Sequence, residues 1–399
     1  MKQKIIIIGG GASGFFLAAN LDSDSQDVLV VEQAVRPMQK VKVSGGGRCN
    51  LTHACFDPHE LVKFYPRGSK ELISVFTRFQ PADTIKWFEN KGVRLYTDDD
   101  GCIFPSTDSS QTIIDVLLHE SSKNGVKTLY NADVVDISVA GNGFLIQTDR
   151  GDYNCDIPVI TTGSSRKMWS ILKRLGHNII PPVPSLFSFN CKDDLLRSLA
   201  GTTFENVEIS IPNLKIRQSG ILLVTHRGLS GPAVLKISAF GARFLNSLNY
   251  DFDVRINWIS SNLADTVGLL KEQKALNPKK HLYSSNIELV TSNFWKNLLQ
   301  KAGIGDKFWA DAGNNDIAKI ADILTDTHLH ISGRNVLKEE FVTAGGVDLK
   351  EVDFKTMQSK LIPNLYFAGE VLDIDGLTGG FNFQACWSEA HIIAKQLTT

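Results

Sequence analysis

No stretch of this sequence stays apolar over the ~18 to 20 residues that a membrane-crossing helix needs, and a strand-like pattern starts within a few residues of Met1. Neither a membrane span nor a signal peptide is expected, and the chain is expected to stay in the cytoplasm. An excess of one charge is missing too: 42 basic residues face 43 acidic ones, a formal net charge of −1. That balance creates no positive field for phosphate backbones or anionic lipid, so neither nucleic acid nor a membrane is expected as a partner. The six cysteines (Cys49, Cys55, Cys102, Cys155, Cys191 and Cys386) contain no CxxC pair, which argues for free thiols rather than a redox dithiol or a zinc knuckle. There is no HExxH and no Ser/His/Asp grouping, so no metal site is expected.

What is present is the composition of an ordinary folded protein, 43% apolar and 21% charged. At 399 residues it exceeds what one hydrophobic core serves, so two or three domains are expected. Residues 4 to 8 form an unbroken β-branched run that suits a strand buried on both faces. Glycines follow, then a helical pattern over Ala12 to Leu21 and a second apolar run over Asp27 to Val31, a β-loop-α-β unit with a parallel sheet. Helices are predicted over Pro81 to Lys91 and Ser109 to Asn124. A β-meander follows, its turns at Gly141-Asn142-Gly143 and Asp149-Arg150-Gly151, ending in a strand that delivers Thr162 and Gly163. The prolines of Pro181-Pro182-Val183-Pro184 read as a stiff linker. Short β-runs occupy 186 to 256 and helices 262 to 328. After Thr343 the glycine-rich character returns, ending in a strand at 365 to 368 and a helix from about Asn382 to Leu397. The expected fold is α/β: a discontinuous Rossmann domain over 1–185 and 330–399, a β-rich substrate domain over 186–258 and 322–330, and a helical insertion over 259–321.

Gly9, Gly10, Gly11, Ala12, Ser13 and Gly14 satisfy GxGxxG between a buried strand and a helix, where that motif has physical meaning. Gly9 permits the tight turn, Gly11 lets backbone N–H groups approach a pyrophosphate, and Gly14 lets the helix lie close to the strand. Glu32 ends the second strand, where a carboxylate accepts ribose hydroxyls and repels a 2′-phosphate. FAD and NAD share that fingerprint. Two further segments favour FAD: the bare-backbone stretch Ser44 to Asn50, and Gly369, Glu370 and Asp373 followed by Gly379, Gly380, Phe381 and Asn382 at the start of the last helix. A helix N-terminus there stabilises negative charge on a reduced flavin.

The runs SGGGRCN (44 to 50), THRGLSGPAVL (225 to 235), TAGGVDL (343 to 349) and FAGEVLDIDGLTGGFNFQ (367 to 384) resemble the HI0933-type flavoproteins, a bacterial family of NAD(P)/FAD-dependent oxidoreductases also described as BaiN-like or aminoacetone-oxidase-like. The resemblance covers nearly the whole chain. It implies a glutathione-reductase-type FAD domain built from both chain ends, a β-rich domain, and a helical domain inserted into that. It also implies FAD contacts from Gly9 to Gly14, Glu32, Lys40, Gly46, Gly47, Arg48, Cys49, Asn50, Gly163, Gly369, Glu370, Asp373 and Gly379 to Asn382. Gln33, Ser44, Val134 and Thr162 complete the candidate cofactor-binding set. The family's Gly-Arg-Lys is Met38-Gln39-Lys40 here, so an arginine contact at position 39 is lost.

For the reacting end, His226 in Thr225 to Pro232 is the candidate catalytic proton donor; the competing reading makes it structural, with Ser230 or Gly231 capping a helix that Pro232 opens. Gly345 and Gly346 are expected to let backbone approach the isoalloxazine ring or the domain joint. The expected activity is hydride transfer between a donor and a small organic substrate held between the domains. Since there is no second GxGxxG, NAD(P)H would act as a transient reductant. The alternatives are a flavin-dependent RNA-modifying protein and a non-catalytic FAD-binding protein; the oligomeric state is left open.

Overall fold

The computed structural model describes residues 2–22, 24–285, 287–335 and 342–398. The β-branched run becomes strand β1 (Gln3–Ile8), whose Ile5 to Ile8 are at most 3% exposed, and the glycines lead into helix α1 (Ala12–Ala18) and strand β2 (Gln26–Glu32). β1 lies between β2 and the strand Ile157–Ile160, parallel to both. Tyr366–Phe367 adds in parallel beyond Ile157–Ile160, and Lys127–Tyr130 beyond β2. Two short antiparallel strands, Gln358–Ser359 and Val352–Asp353, complete a seven-stranded sheet. A buried apolar run is what a central parallel strand requires, since both its faces are covered.

Phe16 on α1 joins α1 to the last helix, Phe381–Thr398. Its ring centroid lies 5.3 Å from that of Trp387 and 4.7 Å from that of Trp87 on the helix Pro81–Asn90. The expected meander is formed by Val134–Ala140, Gly143–Thr148 and Gly151–Cys155. The proline stretch departs from its expected role as a linker. It lies in a strand, Ile179–Ser185, paired with Val342–Val347 in a two-stranded sheet. The fixed φ of proline suits extended backbone, and at such an edge the missing N–H costs little.

The chain divides into two compact units, Met1–Pro182 with Thr343–Thr399, and Val183–Val342. The second unit is built on a seven-stranded antiparallel sheet in the order Thr327–Ser332, Asp251–Asn257, Thr203–Ile211, Ile216–Thr225, Gly228–Ser230, Ser188–Asn190 and Arg334–Asn335. The helical stretch expected as a separate insertion shares the core of this sheet. Phe294 stands 5.0 Å from Phe204 and 4.8 Å from Trp258, in one cluster with Val207, Ile209, Val254 and Ile256. A change from β to helical pattern marked new elements, but the apolar faces of both close on one core.

Candidate dinucleotide site

The parallel strands bring Gly9, Glu32, Thr162, Gly163 and Gly369 to one edge of the sheet, the carboxyl ends where open α/β sheets bind ligands. Gly9 has φ +106°, and a Cβ there would lie 2.7 Å from the Thr161 carbonyl oxygen; at Gly14 a Cβ would drive into the Gly9 carbonyl. Gly11, which caps α1, is different: the nearest protein atom to its missing Cβ is 3.9 Å away. The fold itself demands Gly9 and Gly14, whereas the bare face of Gly11 is open. Glu32 is held by two backbone donors, the Gly10 N–H at 2.6 Å and the Ala34 N–H at 2.7 Å. Gln33 beside it is exposed. Val134 is buried at the start of the meander, close to Ala132, whose N–H donates to the Glu32 carbonyl at 3.0 Å.

Met38 takes a left-handed conformation (φ 54°) and donates its N–H to the Gly10 carbonyl at 2.9 Å, which docks the short helix Gln39–Val43 beside the loop. From that helix Lys40 forms an ion pair with Glu370, and its ammonium stands 3.4 Å from Ser164 Oγ. Glu370 Oε2 is 3.6 Å from the place a Gly163 Cβ would take, so Lys40, Gly163 and Glu370 share one corner. Ser44–Gly47 form a tight turn with Gly45, Gly46 and Gly47 at positive φ, and the space where side chains of Gly46 and Gly47 would stand is open. Arg48 is drawn back onto the protein, 4.1 Å above the Phe104 ring. Burial pushes the Cys49 thiol up to about 12, against the pull of its hydrogen bond from Ser44, so it is no nucleophile.

At the C-terminal side, the Gly369 N–H donates to Glu389 at 2.6 Å, and Asp373 is buried with its N–H on the Val347 carbonyl at 3.1 Å. The Asn382 side chain accepts the Gly376 N–H (2.8 Å) and donates to the Gly376 carbonyl (2.9 Å), so its amide closes the 376–382 loop. A Cβ on Gly380 would lie 2.6 Å from the Thr52 carbonyl, and Tyr65 donates to the Phe381 carbonyl at 2.5 Å. The His53 ring lies 4.6 Å from that of Phe381, with Nδ1 3.2 Å from the Gly379 carbonyl. Arg67 grips the fully buried Asp375 with two hydrogen bonds. Thr52, His53, Tyr65, Arg67, Asp375 and Glu389 support the site and were not anticipated. Asp375 lies in the 367 to 384 run, but its partner Arg67 is 308 residues away in sequence, and spacing does not reveal such a pair.

The corner fits a dinucleotide. Asn50 Oδ1 and Thr162 Oγ1 are buried with no hydrogen-bond partner, the first 2.7 Å from the place a Gly380 Cβ would take, while the faces of Gly11, Gly46 and Gly47 are open. These are polar atoms that a ribityl chain or diphosphate would satisfy.

His226 belongs to the second unit, whereas every cofactor-binding candidate belongs to the first. It is exposed at the tip of a hairpin between Ile216–Thr225 and Gly228–Ser230, whose turn is tied by the Thr225 hydroxyl accepting from the Arg227 and Gly228 N–H groups at 3.3 and 3.2 Å. Gly231 caps the helix Pro232–Ser247 that follows. In TAGGVDL the close approach is to protein backbone. Cβ atoms on Gly345 and Gly346 would lie 2.6 Å from Pro182 Cα and 2.5 Å from the Val371 carbonyl. His328 and His330 form an HxH pair on the strand Thr327–Ser332, engaged with Asp326 and Asp253. Among the described residues no group of three or more His, Cys, Asp or Glu is placed to hold a metal ion, and no helix is long and apolar enough to cross a membrane.

The model of the HI0933-like protein Rossmann domain matches residues 3–396. The ribosomal RNA dihydrouridine synthase of Escherichia coli is 30% identical over 98% of this chain and 97% of its own. The 3-dehydro-bile acid delta(4,6)-reductase of Clostridium scindens is 27% identical over 98% of each chain. Among solved structures, the 3-ketosteroid-delta4-(5alpha)-dehydrogenase of Rhodococcus jostii RHA1 aligns over 99% of this chain and 97% of its own, with 12% identity and a TM-score of 0.52, a shared fold. The buried strand, the glycine loop with Glu32, and the closing C-terminal segment thus sit in a chain that belongs to the HI0933-like family and is an FAD-dependent oxidoreductase.

Proposed function

We propose that this chain reduces a carbon–carbon double bond conjugated to a carbonyl, with NAD(P)H as the transient reductant. The observation that carries the reading is the full-length similarity to relatives whose named reactions share that bond type: the C5–C6 bond of a uracil base for the dihydrouridine synthases, the 4,6-diene beside a 3-oxo group for the bile acid reductase. Bound FAD supplies a two-electron carrier that accepts hydride from a reductant and delivers it to an electrophilic carbon. In this reading Gly9 to Gly14 and the N-terminus of α1 bind the diphosphate, and Glu32 the adenosine ribose hydroxyls. Lys40, Glu370, Asn50 and Thr162 would hold the ribityl side, and the backbone at Gly379 to Phe381 would stabilise negative charge on the reduced flavin. His226 remains the candidate donor of the proton that completes the reduction.

The acceptor is a small enone-type molecule in the first instance. A uracil in ribosomal RNA is a second reading, favoured by the 30% identity to the Escherichia coli enzyme over 98% of this chain. The net charge of −1 speaks against an extended RNA-binding face but leaves room for contact with a single splayed-out base. The test mixes FAD-loaded protein anaerobically with NADH or NADPH, then with a cyclic enone, a 3-oxo-4,6-diene steroid, or ribosomal RNA lacking dihydrouridine. Flavin bleaching by a nicotinamide and reoxidation by one acceptor are expected. Bleaching by neither nicotinamide sinks the reductant assignment, and reoxidation by none of the acceptors sinks the bond type. Replacing His226 by Asn is expected to leave bleaching unchanged and to slow reoxidation by the acceptor ~100-fold or more; an unchanged second step removes His226 from the mechanism.

A further inference from the structure

Glu389 is a carboxyl that the cofactor assignment does not use. It lies on the last helix with its side chain fully buried. Oε2 accepts the Gly369 N–H at 2.6 Å, while Oε1 is buried with no hydrogen-bond partner. Gly369 connects it to the site in two directions. A Cβ on Gly369 would lie 2.7 Å from Ser13 Oγ, in the glycine loop, and its chain neighbour is Glu370. The titratable groups around Glu389 are Cys386, one turn away on its own helix and hydrogen-bonded to Ser13, Tyr65 from the segment before the helix Ser69–Phe76, and, farther out, the Glu370–Lys40 pair. None of these places a cation directly against it.

A carboxylate with one N–H donor in a dry site is costly, and the cheaper form is the neutral acid. Burial raises this carboxyl to about 8, against the pull of the Gly369 N–H. Because Oε2 is the acceptor of that bond, the proton belongs on Oε1. Oε1 is then a buried O–H, and Oε2 keeps its bond from the Gly369 N–H.

We propose that Glu389 is a positioning residue of the FAD site that acts as a neutral acid, holding the Gly369 N–H beside Ser13 of the glycine loop, so that cofactor affinity falls when Glu389 ionises. Ionisation adds a buried negative charge behind a site for a diphosphate. The inference rests on the FAD assignment and adds a pH dependence to it.

The test titrates apo-protein with FAD from pH 6 to 10 by flavin fluorescence, for the wild type and for Glu389→Gln, which keeps the shape and an N–H donor at every pH. The wild-type Kd is expected to stay flat up to about pH 8 and then rise about tenfold per pH unit. The Gln variant is expected to stay flat, and to bind about tenfold more tightly than wild type at pH 9. A measurement needing no variant stands beside it: calorimetry in buffers of different ionisation enthalpy at pH 9 should show close to one proton taken up per FAD bound. Parallel wild-type and Gln profiles, or no proton uptake, overturn this inference alone. No FAD binding even at pH 6 overturns the cofactor assignment and this inference with it.

Discussion

Gly11 and Gly14 stand three residues apart in one loop and answer to different constraints. A methyl group on Gly14 meets the Gly9 carbonyl, so Gly14→Ala is expected to cost ~3 kcal/mol or more of stability. Gly11 has a helix-cap conformation open to any residue and no protein atom within 3.8 Å of its missing Cβ. Gly11→Ala should therefore keep the apo melting temperature within a degree or two while weakening FAD binding at least ~10-fold. A stability loss as large as that of Gly14→Ala would place Gly11 in the fold rather than the site. The thiols make a second residue-scale prediction. Cys49, Cys102, Cys155, Cys191 and Cys386 are buried and raised to about 12, and Cys55 alone is partly exposed. Iodoacetamide at pH 8 should label native protein at Cys55 alone, and slowly, as mass spectrometry of the peptides would show. The stability curve carries a third. Glu389, raised from 4.5 to about 8, takes up a proton on folding, so its effect on stability turns unfavourable as pH rises through that interval. His391, lowered by burial from 6.5 to about 4, releases one, so stability falls as pH drops from 6.5 toward 4. The two oppose each other between pH 4.5 and 6.5. Above 6.5 the Glu389 slope runs in the same direction as that of the exposed His330, whose pKa its hydrogen bond with Asp253 raises, and Glu389→Gln should reduce the fall in apo melting temperature between pH 6.5 and 8.

Among elements, the loop that leads into the last helix depends most on distant support. Its helix was legible in the sequence to within a residue, because a long apolar-faced run follows a Gly-Gly pair. What holds the loop was not. The Arg67–Asp375 pair, the Tyr65 bond to the Phe381 carbonyl and the packing of Gly68 against Ile374 come from a segment some three hundred residues earlier. The spacing of local residues carries no signal for such contacts. Removing one partner of a buried ion pair leaves the other charge stranded, so Arg67→Met is expected to cost about 3 to 5 kcal/mol in denaturant unfolding. Because the loop abuts the flavin-side candidates Gly379 and Gly380, the same variant should release FAD faster. Unchanged stability would mean that Asp375 is satisfied without Arg67. The strand at Ile179–Ser185 is the reverse case, in which local composition misled: three prolines suggest a spacer, yet their φ is compatible with an extended edge and their missing N–H groups need no ladder partner there.

At the scale of the molecule, the first unit is assembled from both chain ends, and its two joints lie close together: a Cβ on Gly345 would stand 2.6 Å from Pro182 Cα. Deleting Val183 to Val342 and joining Pro182 to Thr343 through a short Gly/Ser link is therefore expected to give a yellow protein that keeps FAD but no acceptor reduction. A colourless or unfolded product would show that the discontinuous domain does not stand alone. The expectation of a discontinuous first domain rests on the β-branched, glycine-delivering pattern of the first strands, which reappears after Thr343. The merging of helices and sheet into one second core was not, because patterning shows that a face is apolar and not which face it meets. By itself the sequence determined the glycine loop between strand and helix, the parallel sheet that presents it and the family, since these rest on local periodicity and on glycines whose backbone demands are written in a few adjacent residues. Only the tertiary structure decided which glycines the fold needs and which leave room for a ligand, that Lys40 meets Glu370, and that Glu389 stands buried behind Gly369. Those facts depend on distances between residues far apart in the chain, which folding creates and spacing does not encode.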